Sequence, residues 1–210
     1  PALGKEEYKE MHKAISRDCI TLVKYKDRDV LPITPERYKR IMIVHVKGAE
    51  SGMGMLMKAM GMGGGKNPAE MLKERLCEKG FDAFIYESPL DAMKKQIAAG
   101  EKPNINLYFA GKNAIDDFVS GMDLVITLCD VSSGRPSFGL SKGGGEIPWY
   151  VFELPVVVIG CGQPTMLADV PQARTYINTY DAKPATFDAL VDDLMAGPDA
   201  FKGRDPIDSF

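Results

Sequence analysis

The stretch KRIMIVHVK, residues 39–47, is the clearest indicator of the fold class. It is a short apolar run rich in β-branched residues, and its length and composition predict a strand buried in the interior of a sheet. The runs MDLVITLCDV, residues 122–131, and PVVVIGCG, residues 155–162, have the same character. Two further strands are predicted at residues 20–25 and 81–88, which are bounded by turn-forming or charged residues.

Helical patterns separate these runs. Asn67 followed by Pro68 is typical of a helix start, because the asparagine side chain caps the first turn and proline fits its first position. That helix is expected to stop at Gly80, and the last helix begins just after Pro184. The predicted helices cover residues 5–18, 68–79, 89–100, 113–121 and 185–197. Strands alternating with helices predict an α/β fold, a three-layer sandwich with a mostly parallel sheet and helices on both faces.

Composition fits one globular core. The chain has 210 residues, of which 45% are hydrophobic and 26% charged, enough to bury one sizeable core. Residues 1–39 are interpreted as a helix, a strand and a proline-punctuated linker, and residues 40–210 as the sandwich domain. The chain starts PALGKE without a methionine, which suggests a piece of a longer protein.

Charge and hydropathy exclude two classes of partner. The net charge of −3 argues against nucleic acid, because neutralising phosphates requires a basic face. No apolar run reaches the length of a membrane span, and the first residues lack a signal pattern. We expect a cytoplasmic protein, with secretion left open because the native N-terminus is not seen.

The cysteine and histidine residues form no recognisable metal-binding motif. The four cysteines are widely spaced, so we predict no metal site and interpret them as small buried hydrophobes in a reducing compartment. His45 lies inside a predicted buried strand, where a satisfied core histidine is the expectation, and His12 lies near the polar face of the first helix. The sequence gives no support for a nucleophilic triad, and no cofactor is predicted.

In a parallel sheet the working loops follow the C-terminal ends of the strands, and three loops lie there, at residues 48–66, 130–145 and 160–171. The first is rich in methionine and glycine. It is not a phosphate-binding P-loop, because Met60 and Asn67 occupy the positions that require glycine and a hydroxyl residue. Methionine packs adaptably, so the loop is interpreted as a surface that another body covers, with a disordered insertion as the alternative. The packing candidates are Met53, Met55, Met57, Met60 and Met62.

The second loop suits a sugar. Hydrogen-bonding side chains alternate there with aromatic rings, which match the hydroxyl groups and the C–H faces of a saccharide. The candidates for the rim of a sugar site are Arg135, Ser137, Lys142, Glu146 and Trp149. The alternative is a glycine-rich solvent loop in which Trp149 fills the core.

Several long segments carry a resemblance to a known family. They are DCITLVKYKDRDVLPITPERYKRIMIV, GGGEIPWYVFELPVVVIG, PTMLADVPQARTYINTYDAKPATFDALVDDLMAG and FKGRDPIDSF. Together they resemble the C-terminal domain of family 3 glycoside hydrolases, with the bacterial β-N-acetylhexosaminidase branch as the nearest match. The resemblance implies an α/β sandwich that follows an N-terminal TIM barrel.

The same resemblance implies that catalysis lies elsewhere. Enzymes of this branch resemble two-domain proteins whose barrel carries the aspartate nucleophile and an aspartate–histidine pair. The barrel motif Lys-His-Phe-Pro-Gly does not occur here, so no catalytic residue is carried over to this chain. The β-glucosidase branch places its acid/base glutamate in this domain, with Glu146 nearest by position, but the sequence matches the other branch.

Two functions follow as alternatives. In the first, the chain packs on a catalytic barrel through the methionine loop, and the Arg135 loop forms part of a binding site for an N-acetylglucosamine-containing saccharide. In the second, it is a stand-alone carbohydrate-binding or scaffolding module without catalysis. In both cases we expect the chain alone to be inactive.

Overall fold

The computed structural model describes residues 6–26, 29–47, 67–87, 95–102, 121–131 and 154–205. Its six strands are β1 (Thr21–Tyr25), β2 (Arg40–Lys47), β3 (Asp82–Ile85), β4 (Leu124–Val131), β5 (Val156–Gly162) and β6 (Thr175–Asn178). Its helices with both ends described are α1 (Glu6–Cys19), α2 (Pro68–Glu78) and α3 (Pro184–Ala196), with short 3-10 helices at Pro164–Asp169 and Pro198–Ala200. Residues 95–98, within the helix predicted at 89–100, are also helical.

The strands form one sheet in the order β1-β6-β5-β4-β2-β3. Every neighbouring pair is parallel except β1 and β6, which are antiparallel at one edge. The chain goes from β2 outward to β3, then crosses back over β2 to β4 and continues in the other direction. This is a doubly wound sheet whose direction of winding switches between β2 and β4.

The main core lies between the sheet and helices α2 and α3. Ile43, Ile126 and Ile159 project from three adjacent strands and are fully buried beside Leu72 of α2 and Phe187 of α3. The opposite face carries smaller clusters, in which the first 3-10 helix covers Val158 and Tyr176 with Met166 and Leu167. The predicted α/β class, with a mostly parallel sheet and helical segments on both faces, is therefore confirmed. The predicted helix at residues 113–121 lies outside the described residues, except for its last position.

Local sequence signals account for the helix ends. Asn67 caps α2, because its Oδ1 accepts a hydrogen bond of 3.1 Å from the backbone N–H of Ala69. Gly80 follows that helix with φ +91°, a conformation in which only glycine is unstrained. The last helix differs by one residue from the prediction, because Pro184 is its first residue rather than the one before it. Proline fits there, since the first N–H groups of a helix have no intrahelical partner.

Helix α1 packs in an orientation that its sequence pattern did not predict. Its apolar stripe, Tyr8, Met11 and Ile15, is about half exposed at 42%, 48% and 53%. The opposite, polar side faces α3, where Arg17 forms an ion pair of 2.8 Å with the fully buried carboxylate of Asp193. Charged contacts rather than apolar burial therefore attach this helix to the domain.

Candidate functional site at the C-terminal edge of the sheet

The loops singled out from the sequence follow the C-terminal ends of the parallel strands. Residues 48–66 follow β2 and residues 132–150 follow β4, and both lie outside the described residues. The rim candidates Arg135, Ser137, Lys142, Glu146 and Trp149, and the packing candidates Met53, Met55, Met57, Met60 and Met62, therefore stay predictions. The third loop, residues 160–171, is described in full.

His45 and Asp130 face each other at the winding switch. His45 of β2 pairs with Leu128 of β4, so Asp130 is its diagonal neighbour two residues further along the same face of the sheet. The distance from His45 Nε2 to Asp130 Oδ2 is 3.7 Å, which is too long for a hydrogen bond. The histidine side chain is only 7% exposed, whereas the aspartate is 33% exposed.

The expectation of a satisfied core histidine is wrong within the described residues. Nε2 of His45 is buried and has no hydrogen-bond partner among the residues that the structure describes. A buried polar nitrogen without a partner is costly, because it has lost its hydrogen bonds to water. The apolar pattern of the strand predicts that His45 is buried, but it does not indicate whether Nε2 has a hydrogen-bond partner.

A row of polar side chains continues from this pair across the sheet. Asp130 pairs in register with Cys161 of β5, and Cys161 Sγ lies 3.3 Å from the hydroxyl oxygen of Thr179, whose shortest acceptor is the carbonyl of Asp181 at 2.8 Å. Burial raises the pKa of the Cys161 thiol to about 12, with the nearby carboxylates of Asp130 and Asp181 adding to the effect. The thiol is therefore protonated near neutral pH and is not an activated nucleophile.

Asp181 closes the row at the start of α3. Its burial acts to raise the pKa of the carboxyl, but hydrogen bonds from Thr186 and Lys183 outweigh burial, and the pKa lies below its ordinary value. Lys183 Nζ lies 2.9 Å from Asp181 Oδ2. This carboxylate is ionised and engaged at the start of α3, although its side chain is about as exposed as that of Asp130, at 35% against 33%.

The third loop is held from beneath by side chains of β6. Asn178 Nδ2 donates to the carbonyl of Pro164 at 3.2 Å, and Tyr176 donates its hydroxyl proton to Asn178 Oδ1 at 3.0 Å. Gly160 makes this arrangement possible, because a Cβ there would lie 2.2 Å from the Tyr176 hydroxyl oxygen. Because Gly160 has no side chain, the Tyr176 hydroxyl fits against β5 and can form the hydrogen bond that positions Asn178 beneath the third loop.

Two of the four cysteines are buried and two are exposed. Cys129 and Cys161 are buried as expected, but the prediction is wrong for Cys19 and Cys77, which are exposed near the C-terminal ends of α1 and α2. In the described part of the chain, no three histidine, cysteine, aspartate or glutamate residues are grouped to hold a metal ion. None of the described helices is long and apolar enough to cross a membrane.

Comparison with known proteins gives three informative matches, although no family model matches the chain. A β-N-acetylglucosaminidase/β-glucosidase of Cellulomonas fimi is 27% identical over 99% of this chain and 33% of its own length. The structure named β-glucoside phosphorylase BglX is 27% identical with a TM-score of 0.68, covering 98% of this chain and 32% of its own. A family 3 β-N-acetylglucosaminidase from Paenibacillus is 14% identical with a TM-score of 0.57, covering 93% and 32% of the two chains, and shares the fold.

The chain spans about a third of the length of these relatives. Almost none of the chain is left unmatched, so it corresponds to one part of each relative rather than to scattered segments. This confirms the resemblance stated from the sequence: nearly the whole chain matches about a third of each relative, which is consistent with the C-terminal domain of a family 3 glycoside hydrolase.

Proposed function

We propose that this chain is the C-terminal domain of a retaining family 3 glycoside hydrolase of the β-N-acetylhexosaminidase type. In this proposal it packs on an N-terminal catalytic TIM barrel and forms the rim of the sugar site. The barrel supplies all catalytic residues, and the chain alone is inactive.

The observation that carries the proposal is the pattern of coverage. Nearly all of this chain matches a third of a protein named for activity on β-linked N-acetylglucosamine and glucose. The remaining two thirds of that protein have no counterpart here, and they provide room for a separate catalytic domain. The substrate proposed for the intact enzyme is an N-acetylglucosamine-containing saccharide.

The C-terminal edge of the sheet supports the same assignment. Asp130 and His45 lie beside the starts of the two loops that carry the predicted rim and packing residues. In open α/β sheets, ligands bind beyond the C-terminal ends of the strands, where these polar groups lie. We propose that the predicted rim residues Arg135 and Trp149 face the barrel, and that the protein is cytoplasmic.

Activity assays with and without the barrel test the proposal. Chromogenic β-N-acetylglucosaminide and β-glucoside are incubated with this chain alone, with the barrel alone, and with both domains joined in one polypeptide. We expect turnover only by the joined protein, with the N-acetylglucosaminide preferred. Repeating the assay with inorganic phosphate checks for the phosphorolysis that the name of the BglX relative implies for that protein.

Calorimetric titration tests the rim separately. Binding of N-acetylglucosamine to the joined protein is compared with binding to Trp149→Ala and to a control, Tyr8→Ala, on a helix remote from the Trp149 loop in sequence. We expect the first variant to weaken binding and the control to leave it unchanged. Saccharide binding by the chain, combined with no activity in the joined protein, would favour the stand-alone binding module instead.

A further inference from the structure

We propose that His45 and Asp130 form a binding site for the hydroxyl groups of a saccharide, in which Asp130 accepts their hydrogen bonds and His45 positions the carboxylate. This inference rests on the proposed function and names a contact of that site. It uses residues that the sequence motifs did not single out as binding residues.

Topology places the pair where a ligand is expected. The two strands that carry His45 and Asp130 are adjacent, and the chain leaves them in opposite directions across the sheet. The connections at such a switch diverge to opposite faces, so a crevice opens beyond the C-terminal ends of the two strands. Both side chains lie at those ends, within the last three residues of their strands.

The geometry within the pair is that of an incomplete site. His45 Nε2 is buried without a partner among the described residues, and the nearest carboxylate oxygen is 3.7 Å away. A charge-assisted N–H···O bond is about 2.8 Å long, so a shift of roughly 1 Å between the side chains closes it. A ligand hydroxyl that draws Asp130 into position brings about this shift and satisfies the nitrogen.

The charge of the pair selects the class of ligand. An ionised carboxylate only accepts hydrogen bonds, so its ligand must be a donor, and it repels anions such as phosphate. A metal ion is disfavoured, because the described residues around the pair offer no third ligand of the usual types. A sugar hydroxyl donates to the carboxylate and accepts from other groups, and Asp130 is 33% exposed, enough to be reached.

Protein-detected NMR on this chain tests the site. The amide signals of Asp130 and Cys161 are followed during titration with N-acetylglucosamine, glucose and per-O-methylated glucose, which keeps the ring but lacks hydroxyl donors. We expect saturable shifts with the two free sugars and none with the methylated one. Asp130→Asn should weaken binding about five- to tenfold, because a charge-assisted bond becomes a neutral one.

Matched variants test whether saccharide binding depends on Asp130 and His45 in particular or on any surface charge of the domain. Asp82→Asn makes the same substitution at the N-terminal end of β3, away from the C-terminal ends of the strands. The Asp82 carboxylate is 53% exposed, and its replacement should leave binding unchanged. His45→Gln keeps a donor and His45→Leu removes it, so binding should be largely retained in the first and reduced about threefold or more in the second.

Three results would overturn the inference: equal shifts with methylated glucose, wild-type binding by Asp130→Asn, or no saturable shift at Asp130. Each leaves the proposed function standing if the joined protein hydrolyses the chromogenic substrate. Saturable binding in an inactive joined protein would instead support this site and contradict the proposed function.

Discussion

Replacing Arg17 with methionine should destabilise the domain in a pH-dependent way. Arg17 Nε and Nη2 both lie 2.8 Å from Asp193 Oδ1, and the aspartate side chain is fully buried whereas the arginine is 45% exposed. Burial raises the pKa of Asp193, and the charge of Arg17 opposes that rise. Methionine keeps much of the side-chain length but removes the charge, so the pKa of Asp193 should rise further.

The magnitude follows from the mixed exposure of the pair. Removing one partner of a fully buried ion pair costs about 3–5 kcal/mol, and an exposed pair contributes at most about 1 kcal/mol. One buried and one half-exposed partner place the loss between these limits, at about 2 kcal/mol at pH 7. For a domain of this size that corresponds to a fall in Tm of roughly 4–8 °C.

The sign of the pH dependence is fixed by the direction of the pKa shift. A carboxyl whose pKa is raised on folding contributes stability at low pH, and this contribution is lost as pH rises through the folded-state pKa. The difference in unfolding free energy between wild type and Arg17→Met should therefore be smallest below about pH 4 and should grow towards neutral pH.

Chemical denaturation monitored by circular dichroism at several pH values measures this difference. Lys13→Met is the matched control, because Lys13 lies on α1 like Arg17 and its Nζ is 3.6 Å from Asp192 Oδ2 of α3, with both side chains partly exposed. It should change stability by less than about 1 kcal/mol. Adding Asp193→Asn to Arg17→Met should recover most of the loss. A loss that is the same at pH 4 and pH 7 would show that the charge of Arg17 does not act through the Asp193 carboxylate.

Three further predictions follow from buried side chains and helix ends. With a thiol reagent under native conditions, Cys19 and Cys77 should react quickly and Cys161 and Cys129 slowly, because burial raises the pKa of both inner thiols; equal rates for all four would contradict their placement. Gly160→Ala should destabilise the domain by about 1–3 kcal/mol in denaturant titrations, because the added Cβ would clash with the Tyr176 hydroxyl. An unchanged denaturation midpoint would show that β5 and β6 can move apart to accommodate the methyl group at no cost in stability. Asn67→Ala should lower the unfolding free energy by about 1 kcal/mol through loss of the α2 cap, whereas Asn67→Asp should retain it; equal losses in both would argue against capping.

The strands and helix ends were readable from sequence because their signals are local. The run from Arg40 to Lys47 forms the predicted buried strand, and Asn67, Pro68 and Gly80 act at the positions that their chemistry indicates. In each case a few consecutive residues determine the outcome. No information about distant parts of the chain is needed.

The contacts of the site and of α1 could not be predicted in the same way. His45 and Asp130 are separated by a long stretch of sequence, and their approach depends on the order of strands, which no local pattern encodes. The apolar spacing of Tyr8, Met11 and Ile15 indicates a helix but not which side of it faces the domain. The buried carboxylate of Asp193 decides that orientation, because it attracts Arg17 to the inner side.

Hydrolysis of a chromogenic β-N-acetylglucosaminide, measured for this chain alone and for the chain joined to a family 3 barrel, decides whether the catalytic residues lie outside this chain. We expect no turnover by the chain alone and measurable turnover by the joined protein. Turnover by the purified chain alone, with contaminating hydrolase excluded, would contradict this expectation.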